Sequence, residues 1–254
     1  MRENALKRKL QNGEYVIGPF MNCSYGAFIE IVGMAGFDYA IIDTEHGPLE
    51  VETAEDLCRA AQGVGLSPIV RVRKNDAPQI QRALDIGSAG VQVPQIETGE
   101  GAEAVVRAAK YVPLGMRGLS FYTRAGDYTI HGLSGITDRL NAEQIVIVHV
   151  EGVTGLQNLD AIIAVPHIDV VFLGPYDLSQ SFGIPGQVND PRVVQGMEEA
   201  TKKIRAAGKA AGTYAGDADT AKRWIDAGVQ YISLGVDVGI FANACRDLVQ
   251  QVRG

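Results

Sequence analysis

The chain has 254 residues, of which 46% are hydrophobic and 21% are charged, and its formal net charge is −7. This composition predicts a folded protein with a large core and excludes extensive disorder. The negative charge argues against nucleic acid or an anionic membrane as a primary partner.

Short apolar runs alternate with longer segments along the chain. The runs are Tyr15–Pro19, Asp38–Asp43, Pro68–Val72, Gly90–Pro94, Gln144–Val150, Asp169–Leu173, Lys209–Gly212 and Gln230–Gly235. They are rich in valine and isoleucine and are apolar at both alternating positions, which is typical of parallel strands covered on both faces. We therefore interpret all eight as strands of a parallel sheet.

The segments between the strands carry helical periodicity. Predicted helices are Thr53–Gln62, Ala77–Ile86, Gly101–Ala109, Pro191–Ala206 and Asp219–Ala227, and several stop at a glycine. Eight strands with helical crossovers predict an α/β fold, a single (β/α)8 TIM barrel over residues 1–254. A doubly wound open sheet is the alternative, since sequence alone does not show closure. The irregular stretch Leu114–Leu133 is expected to form a long loop over the active face.

The expected cellular location of the protein rests on its cysteine pattern and its lack of long apolar runs. Cys23, Cys58 and Cys245 are widely spaced and outside any CxxC pattern, so neither a disulfide scaffold nor a zinc finger is expected. The basic N-terminus has no apolar signal segment, and no apolar run reaches the roughly 18 residues that span a bilayer. We expect a soluble cytoplasmic protein without a membrane partner.

Polar residues concentrate where the predicted strands end. The segments are Asp43-Thr44-Glu45-His46, Arg71-Val72-Arg73, Pro94-Gln95, His149-Val150-Glu151 and Gly174-Pro175-Tyr176-Asp177. Barrel enzymes carry their chemistry at this end, and charges in apolar strands are costly unless they are paired or bind something. Singly, each has a plainer interpretation: Asp177 as a helix cap, Arg71 as a structural partner of Glu45, or His46 as a turn residue.

Four segments together resemble the HpcH/HpaI family of class II pyruvate aldolases. They are GFDYAIIDTEHGP, PIVRV, VHVEG and VFLGPYDLSQSFG, and the likeness runs from about Gly18 to the C-terminus. The resemblance implies a carbon–carbon lyase that reversibly cleaves a 4-hydroxy-2-oxo acid into pyruvate, or a close 2-oxo acid, and an aldehyde. It implies that a divalent metal holds the enolate. It also implies a homo-hexamer of barrels with the C-terminal helix exchanged between subunits.

The resemblance assigns the metal ligands and the proton-transfer group. By position, Glu151 and Asp177 match the metal-binding carboxylates. His46 matches the general base, and Asp85 matches the carboxylate that supports it. Asp43, in the same motif as His46, is grouped with the catalytic residues.

The remaining matches concern substrate binding. Arg71 matches the arginine that contacts the substrate oxygen, and the backbone around Gly174, Tyr176 and Asp177 matches the segment that receives the pyruvate carboxylate. His149 departs from the pattern, because the better-known aldolases carry glutamine there.

His149 shares strand parity with Glu151, so both are expected to point into the barrel. Three roles stay open for it: a hydrogen bond to substrate or metal-bound water, which we favour, a third metal ligand, or an inert core histidine. Two carboxylates and a chelating 2-oxo acid suit Mg²⁺, Mn²⁺ or Co²⁺. Zinc is less expected, because it usually recruits histidine or cysteine.

Other functions remain open at this level. A Schiff-base aldolase needs a desolvated lysine, and Lys74, the only lysine just after a predicted strand, sits beside two arginines. A lyase that decarboxylates oxaloacetate, as macrophomate-synthase-like relatives do, would use the same residues. A catalytically silent barrel that acts in binding or assembly is the third possibility.

The last predicted helix is apolar over a wide stripe. The stripe comprises Ile240, Phe241, Ala244, Cys245, Leu248 and Val249. This is wider than a surface helix needs, so we expect the helix to pack on a neighbouring subunit. The alternative is that it simply closes its own barrel.

Overall fold

The computed structural model describes residues 3–254 and shows a closed barrel of eight parallel strands. The strands are β1 Val16–Met21, β2 Tyr39–Asp43, β3 Ser67–Arg71, β4 Gly90–Val93, β5 Ile145–Val150, β6 Val170–Leu173, β7 Ala210–Ala215 and β8 Tyr231–Val236. Each strand pairs with the next along the chain, and β8 pairs with β1. The predicted TIM barrel is confirmed, and the open sheet is excluded.

The described residues form twelve α-helices, most of which connect successive strands and cover the outside of the barrel. They are α1 Ala5–Gln11, α2 Gly26–Met34, α3 Val51–Gly63, α4 Ala77–Asp85, α5 Gly99–Ala109, α6 Ile136–Glu143, α7 Val153–Gln157, α8 Leu159–Ala164, α9 Pro175–Ser181, α10 Pro191–Ala206, α11 Ala218–Asp226 and α12 Asp237–Arg253. The five helices bounded from periodicity are all present, as α3, α4, α5, α10 and α11.

The core has two apolar layers, one inside the barrel and one between strands and helices. Ile41 belongs to the inner layer with Phe172 and Tyr231, whereas its neighbour Ile42 belongs to the outer layer with Leu57. Successive side chains of a strand point to opposite faces, so both faces are buried. This explains why the strands read as continuous apolar runs.

Helix α1 closes the amino-terminal end of the barrel. Leu6 and Leu10 join the inner apolar layer. The Asn4 side-chain amide donates to the carbonyls of Ala89 and Glu143 at 2.9 and 2.8 Å, just before β4 and β5 begin. The opposite end, where the strands finish, therefore carries the opening to the barrel interior.

The irregular segment Leu114–Leu133 lies at the amino-terminal end of the strands. It follows α5 and leads through α6 into β5, and such helix-to-strand connections run below the barrel. Within it, Arg124 donates to Gln62 at the end of α3 and to the carbonyl of Ile86 after α4. The expectation that this segment covers the active face of its own chain is wrong, because that face is formed by strand-to-helix loops.

Only the first residue of helix α12 is buried against the barrel. The Asp237 carboxylate accepts hydrogen bonds from the backbone N–H groups of Asn22 and Cys23 at 3.0 and 2.8 Å, which joins the helix to the end of β1. Beyond Asp237 the side chains are exposed, including Phe241 at 62% and Leu248 at 64%. The helix does not close the barrel. Within residues 3–254, no helix is both long and apolar enough to cross a membrane.

Candidate active site

A cavity of about 410 Å³ opens at the carboxyl ends of the strands. It is lined by Phe20, Asn22, Asp43, His46, Arg71, His149, Glu151, Phe172, Gly174, Pro175, Tyr176, Asp177, Tyr214 and Val236. Every site residue expected from the sequence lies here except Asp85. A larger cleft of about 780 Å³ lies at the amino-terminal end, beside Gln62, Arg124 and Gln144. We assign the chemistry to the smaller cavity, because the charged strand-end residues converge there.

Arg71, the last residue of β3, is held by two carboxylates of the loop after β2. Its Nε and Nη2 donate to the two oxygens of Asp43 at 2.8 and 2.7 Å, and Nη1 lies 3.0 Å from Glu45 Oε2. Its guanidinium also stacks on the ring of Phe20 at 4.6 Å. Burial alone would lower the pKa of Arg71, but the bond to Asp43 raises it, so a fixed cation faces the cavity.

Asp43 also shapes the turn that carries His46. Its Oδ1 accepts hydrogen bonds from the backbone N–H groups of Glu45 at 3.0 Å and of His46 at 3.4 Å. A carboxylate that binds its own backbone two residues ahead is a common turn former. One buried side chain thus sets the position of both Arg71 and His46, so Asp43 acts through its neighbours.

Negative charge exceeds positive charge in this cavity. Burial raises the pKa of Glu45 to about 7. Arg71 opposes this rise, and the charges of Glu151, Asp43 and Asp177 add to it. Among the described residues, Arg71 is the one lysine or arginine that lines the cavity. Such a surplus of carboxylates suits a divalent cation.

Glu151 follows β5, and both of its oxygens accept hydrogen bonds. Oε1 accepts from the Gln95 backbone N–H at 2.8 Å, and Oε2 lies 3.0 Å from His149 Nδ1. Burial alone would raise the pKa of Glu151, but His149, the Gln95 N–H and Arg71 together hold it below its usual value. Gln95 adopts a left-handed φ of 57°, which is strained for a residue other than glycine. The residue with this strained conformation is the same one whose backbone N–H donates to Glu151.

Gly174 separates the two carboxylates that were expected to bind metal. A Cβ at this position would come within 3.0 Å of Glu151 Oε2 and 3.8 Å of Asp177 Oδ2. The two oxygens therefore flank one point, and only glycine leaves the space between them open. No group of three or more His, Cys, Asp or Glu side chains within residues 3–254 forms a metal-binding cluster. The donors present fit a cation that completes its shell with substrate and water oxygens.

Asp85 does not lie beside His46 in this chain. It is the last residue of α4 and forms an ion pair with Arg117, which also donates to Gln144, immediately before β5. His46 follows the carboxyl end of β2. The two residues occupy opposite ends of the barrel, so the expected support of His46 by Asp85 fails within one subunit. Asp85 ends a helix that leads into the next strand, and such helix-to-strand positions lie at the amino-terminal end of a barrel.

The fold and the site together define a class, the (β/α)8-barrel enzymes whose carboxylate-rich strand ends suit a divalent cation. The family model for HpcH/HpaI aldolase/citrate lyase matches residues 17–244. The chain belongs to this family, as the sequence motifs predicted, and it is a carbon–carbon lyase.

Known proteins resemble the chain over nearly its whole length. A pyruvate aldolase from Rhizobium etli is 38% identical over 245 residues, which cover 96% of each chain. The crystal structure of an HpcH/HpaI aldolase/citrate lyase family protein from Burkholderia cenocepacia J2315 superposes with a TM-score of 0.94 at 31% identity, covering 99% of this chain and 100% of the other. A structure of macrophomate synthase superposes with a TM-score of 0.87 at 25% identity, covering 98% and 89%.

Proposed function

We propose that the protein reversibly cleaves a 4-hydroxy-2-oxo acid into pyruvate, or a close 2-oxo acid, and an aldehyde, with a divalent cation held by Glu151 and Asp177. The observation that carries the proposal is the pair of carboxylates that flank Gly174 in a cavity with surplus negative charge. The likeness to a pyruvate aldolase supports the substrate class.

The donor set favours Mg²⁺, Mn²⁺ or Co²⁺. Both proposed ligands are carboxylates, and a six-oxygen shell is what these ions accept. A bound cation would polarise the keto group of the 2-oxo acid and stabilise the negative charge that develops on enolisation. His149, the histidine nearest to Glu151, has both ring nitrogens engaged with protein atoms, which argues against a zinc site.

Arg71 and the start of α9 would hold the 2-oxo acid. Three of the five N–H groups of Arg71 can satisfy the contacts with Asp43 and Glu45, which leaves donors for a substrate oxygen. Gly174, Tyr176 and Asp177 line the cavity where α9 begins, and the first N–H groups of a helix have no partner within it. These N–H groups would donate hydrogen bonds to the pyruvate carboxylate.

His46 would move the proton of the 4-hydroxyl group. Imidazole titrates near neutrality, so it can take the proton during cleavage and return it during condensation. The backbone bond from His46 to Asp43 places the ring at the cavity wall. General acid–base help of this kind contributes roughly 10²–10⁴ in rate.

Exchange of pyruvate methyl protons with D₂O, followed by NMR, tests the enolate step without any aldehyde. We expect exchange that EDTA abolishes and that Mg²⁺, Mn²⁺ or Co²⁺ restores. Glu151→Gln and Asp177→Asn should nearly abolish it, whereas Asp160→Asn, at an exposed ion pair with Lys203, should not change it. The proposal fails if exchange survives chelation, or if borohydride traps a lysine adduct.

The Schiff-base route finds no support in the cavity. Lys74 is exposed, and no lysine among residues 3–254 lines the site. Decarboxylation of oxaloacetate remains a second candidate, favoured by the structural likeness to macrophomate synthase. Turnover that requires an aldehyde would identify an aldolase, and release of CO₂ from oxaloacetate at a comparable rate would identify a decarboxylase.

We further propose a homo-hexamer in the cytoplasm. The exposed apolar side chains of α12, including Ile240, Phe241 and Leu248, support burial of this helix against a neighbouring subunit. Exchange of the helix between subunits would supply that contact.

A further inference from the structure

A row of hydrogen-bonded polar side chains crosses the interior of the barrel and ends at Glu151. The Tyr231 hydroxyl on β8 donates to Gln92 Oε1 on β4 at 3.2 Å. Gln92 Nε2 contacts His149 Nε2 on β5, and His149 Nδ1 lies 3.0 Å from Glu151 Oε2. Tyr231, Gln92 and His149 are at most 1% exposed, so water cannot replace these partners.

The three hydrogen bonds in this row are all donated in the same direction, from Tyr231 towards Glu151. An ionised carboxylate only accepts, so the hydrogen between His149 and Glu151 belongs to Nδ1. An amide NH₂ only donates, so His149 Nε2 is the acceptor from Gln92. The Tyr231 hydroxyl occupies Gln92 Oε1 and thereby fixes which way the amide faces. The Nδ1–H of the imidazole is aimed at Glu151.

The His149 ring is held in place as well as hydrogen-bonded. It stacks on Phe172 with ring centroids 4.4 Å apart and planes 20° apart. Both ring nitrogens are engaged by Gln92 and Glu151, which leaves neither for a cation or for a water bound to one. This geometry argues against His149 as a third metal ligand and against the water contact that the family glutamine suggested.

We propose that His149 is a positioning residue, which Tyr231 and Gln92 orient so that its Nδ1–H fixes the carboxylate of Glu151 for cation binding. The inference rests on the proposed function, in which Glu151 holds the cation. With the Gln95 N–H on Oε1 and His149 on Oε2, each oxygen keeps a lone pair for other partners. Partners that orient a metal ligand typically contribute 10–100-fold to metal affinity.

Two amide substitutions separate this role from simple space filling. The nitrogen of an asparagine is as many bonds from Cβ as Nδ1 of histidine, so His149→Asn keeps a donor for Glu151. The amide oxygen of a glutamine is as many bonds from Cβ as Nε2 of histidine, so His149→Gln can still accept from Gln92 and loses the contact with Glu151. His149→Phe keeps only the stacking on Phe172. His131→Gln, at an exposed histidine outside the cavity, is the matched control.

The readout is the affinity for Mn²⁺, from the electron paramagnetic resonance signal of free Mn²⁺ titrated with metal-free protein. We expect His149→Gln and His149→Phe to bind about 10–100-fold more weakly than wild type, and His149→Asn to be within about threefold of it. Tyr231→Phe, which removes only the hydroxyl, should cause a smaller loss than His149→Phe. Crystal structures should show Glu151 turned from its wild-type orientation in His149→Gln and unmoved in His149→Asn.

Wild-type affinity in His149→Gln, or equal weakening in the asparagine and glutamine variants, would overturn the proposal. Thermal melting of the metal-free proteins shows whether each variant folds. If His149→Phe does not fold, the comparison of asparagine with glutamine and the Tyr231→Phe result still decide. Failure of the proposed function gives a different result from failure of the His149 proposal. In that case Glu151→Gln would bind Mn²⁺ as tightly as wild type.

Discussion

Removal of the Asp43 carboxylate is expected to be the most destabilising single change at the cavity. Asp43 is 1% exposed and binds Arg71 through both oxygens. Asp43→Ala would leave Arg71 with Glu45 alone and remove the acceptor for the turn N–H groups. Loss of one partner of a buried ion pair costs about 3–5 kcal/mol. At about 2–4 °C per kcal/mol for a chain of this size, the expected fall in Tm is roughly 6–20 °C.

Urea and thermal unfolding of the EDTA-treated protein measure this cost. Asp160→Ala is the control, because it removes an exposed carboxylate paired with Lys203 and should change stability little. Asp43→Ala should also abolish proton exchange of pyruvate, since Arg71 and His46 both lose their support. If Asp43→Ala unfolds at the same urea concentration as Asp160→Ala, the pair with Arg71 does not stabilise the fold and the reasoning is refuted.

Three further outcomes follow from particular groups. Because the pKa of Glu45 is raised to about 7 in the folded protein from 4.5, wild type should lose stability relative to Glu45→Gln as pH rises from about 4.5 to 7. Melting of the EDTA-treated pair at several pH values checks this, and a constant difference contradicts it. Lys110 is buried and donates to the carbonyls of Asn141 and Gln144, so Lys110→Met should cost about 1–3 kcal/mol in urea unfolding; an unchanged midpoint would disprove it. Light scattering should show a hexamer that Phe241→Glu disrupts, and a wild-type monomer at micromolar concentration would refute the assembly.

Much of the site could be predicted because its residues follow directly on strands. The motif around His46, and Glu151 and Asp177 after β5 and β6, all line one cavity, as their strand-end positions imply. Gln92 and Tyr231 were not identified as site residues, and Gln95 was noted only as a polar residue at a strand end. Gln92 and Tyr231 lie within apolar runs, and the only available signal was a polar side chain at an inward-facing strand position.

The sequence by itself determined eight parallel strands that alternate with helices, because strand length, apolar character on both faces and helical periodicity are local properties that can be read residue by residue. Closure of the sheet into a barrel was decided by the tertiary structure. Tertiary structure alone decided which side chains contact each other across the barrel. It paired Asp85 with Arg117 and joined Tyr231 to Gln92 across the interior. Such contacts link residues far apart in the chain. They depend on strand register and barrel closure, which fix how side chains from different strands meet.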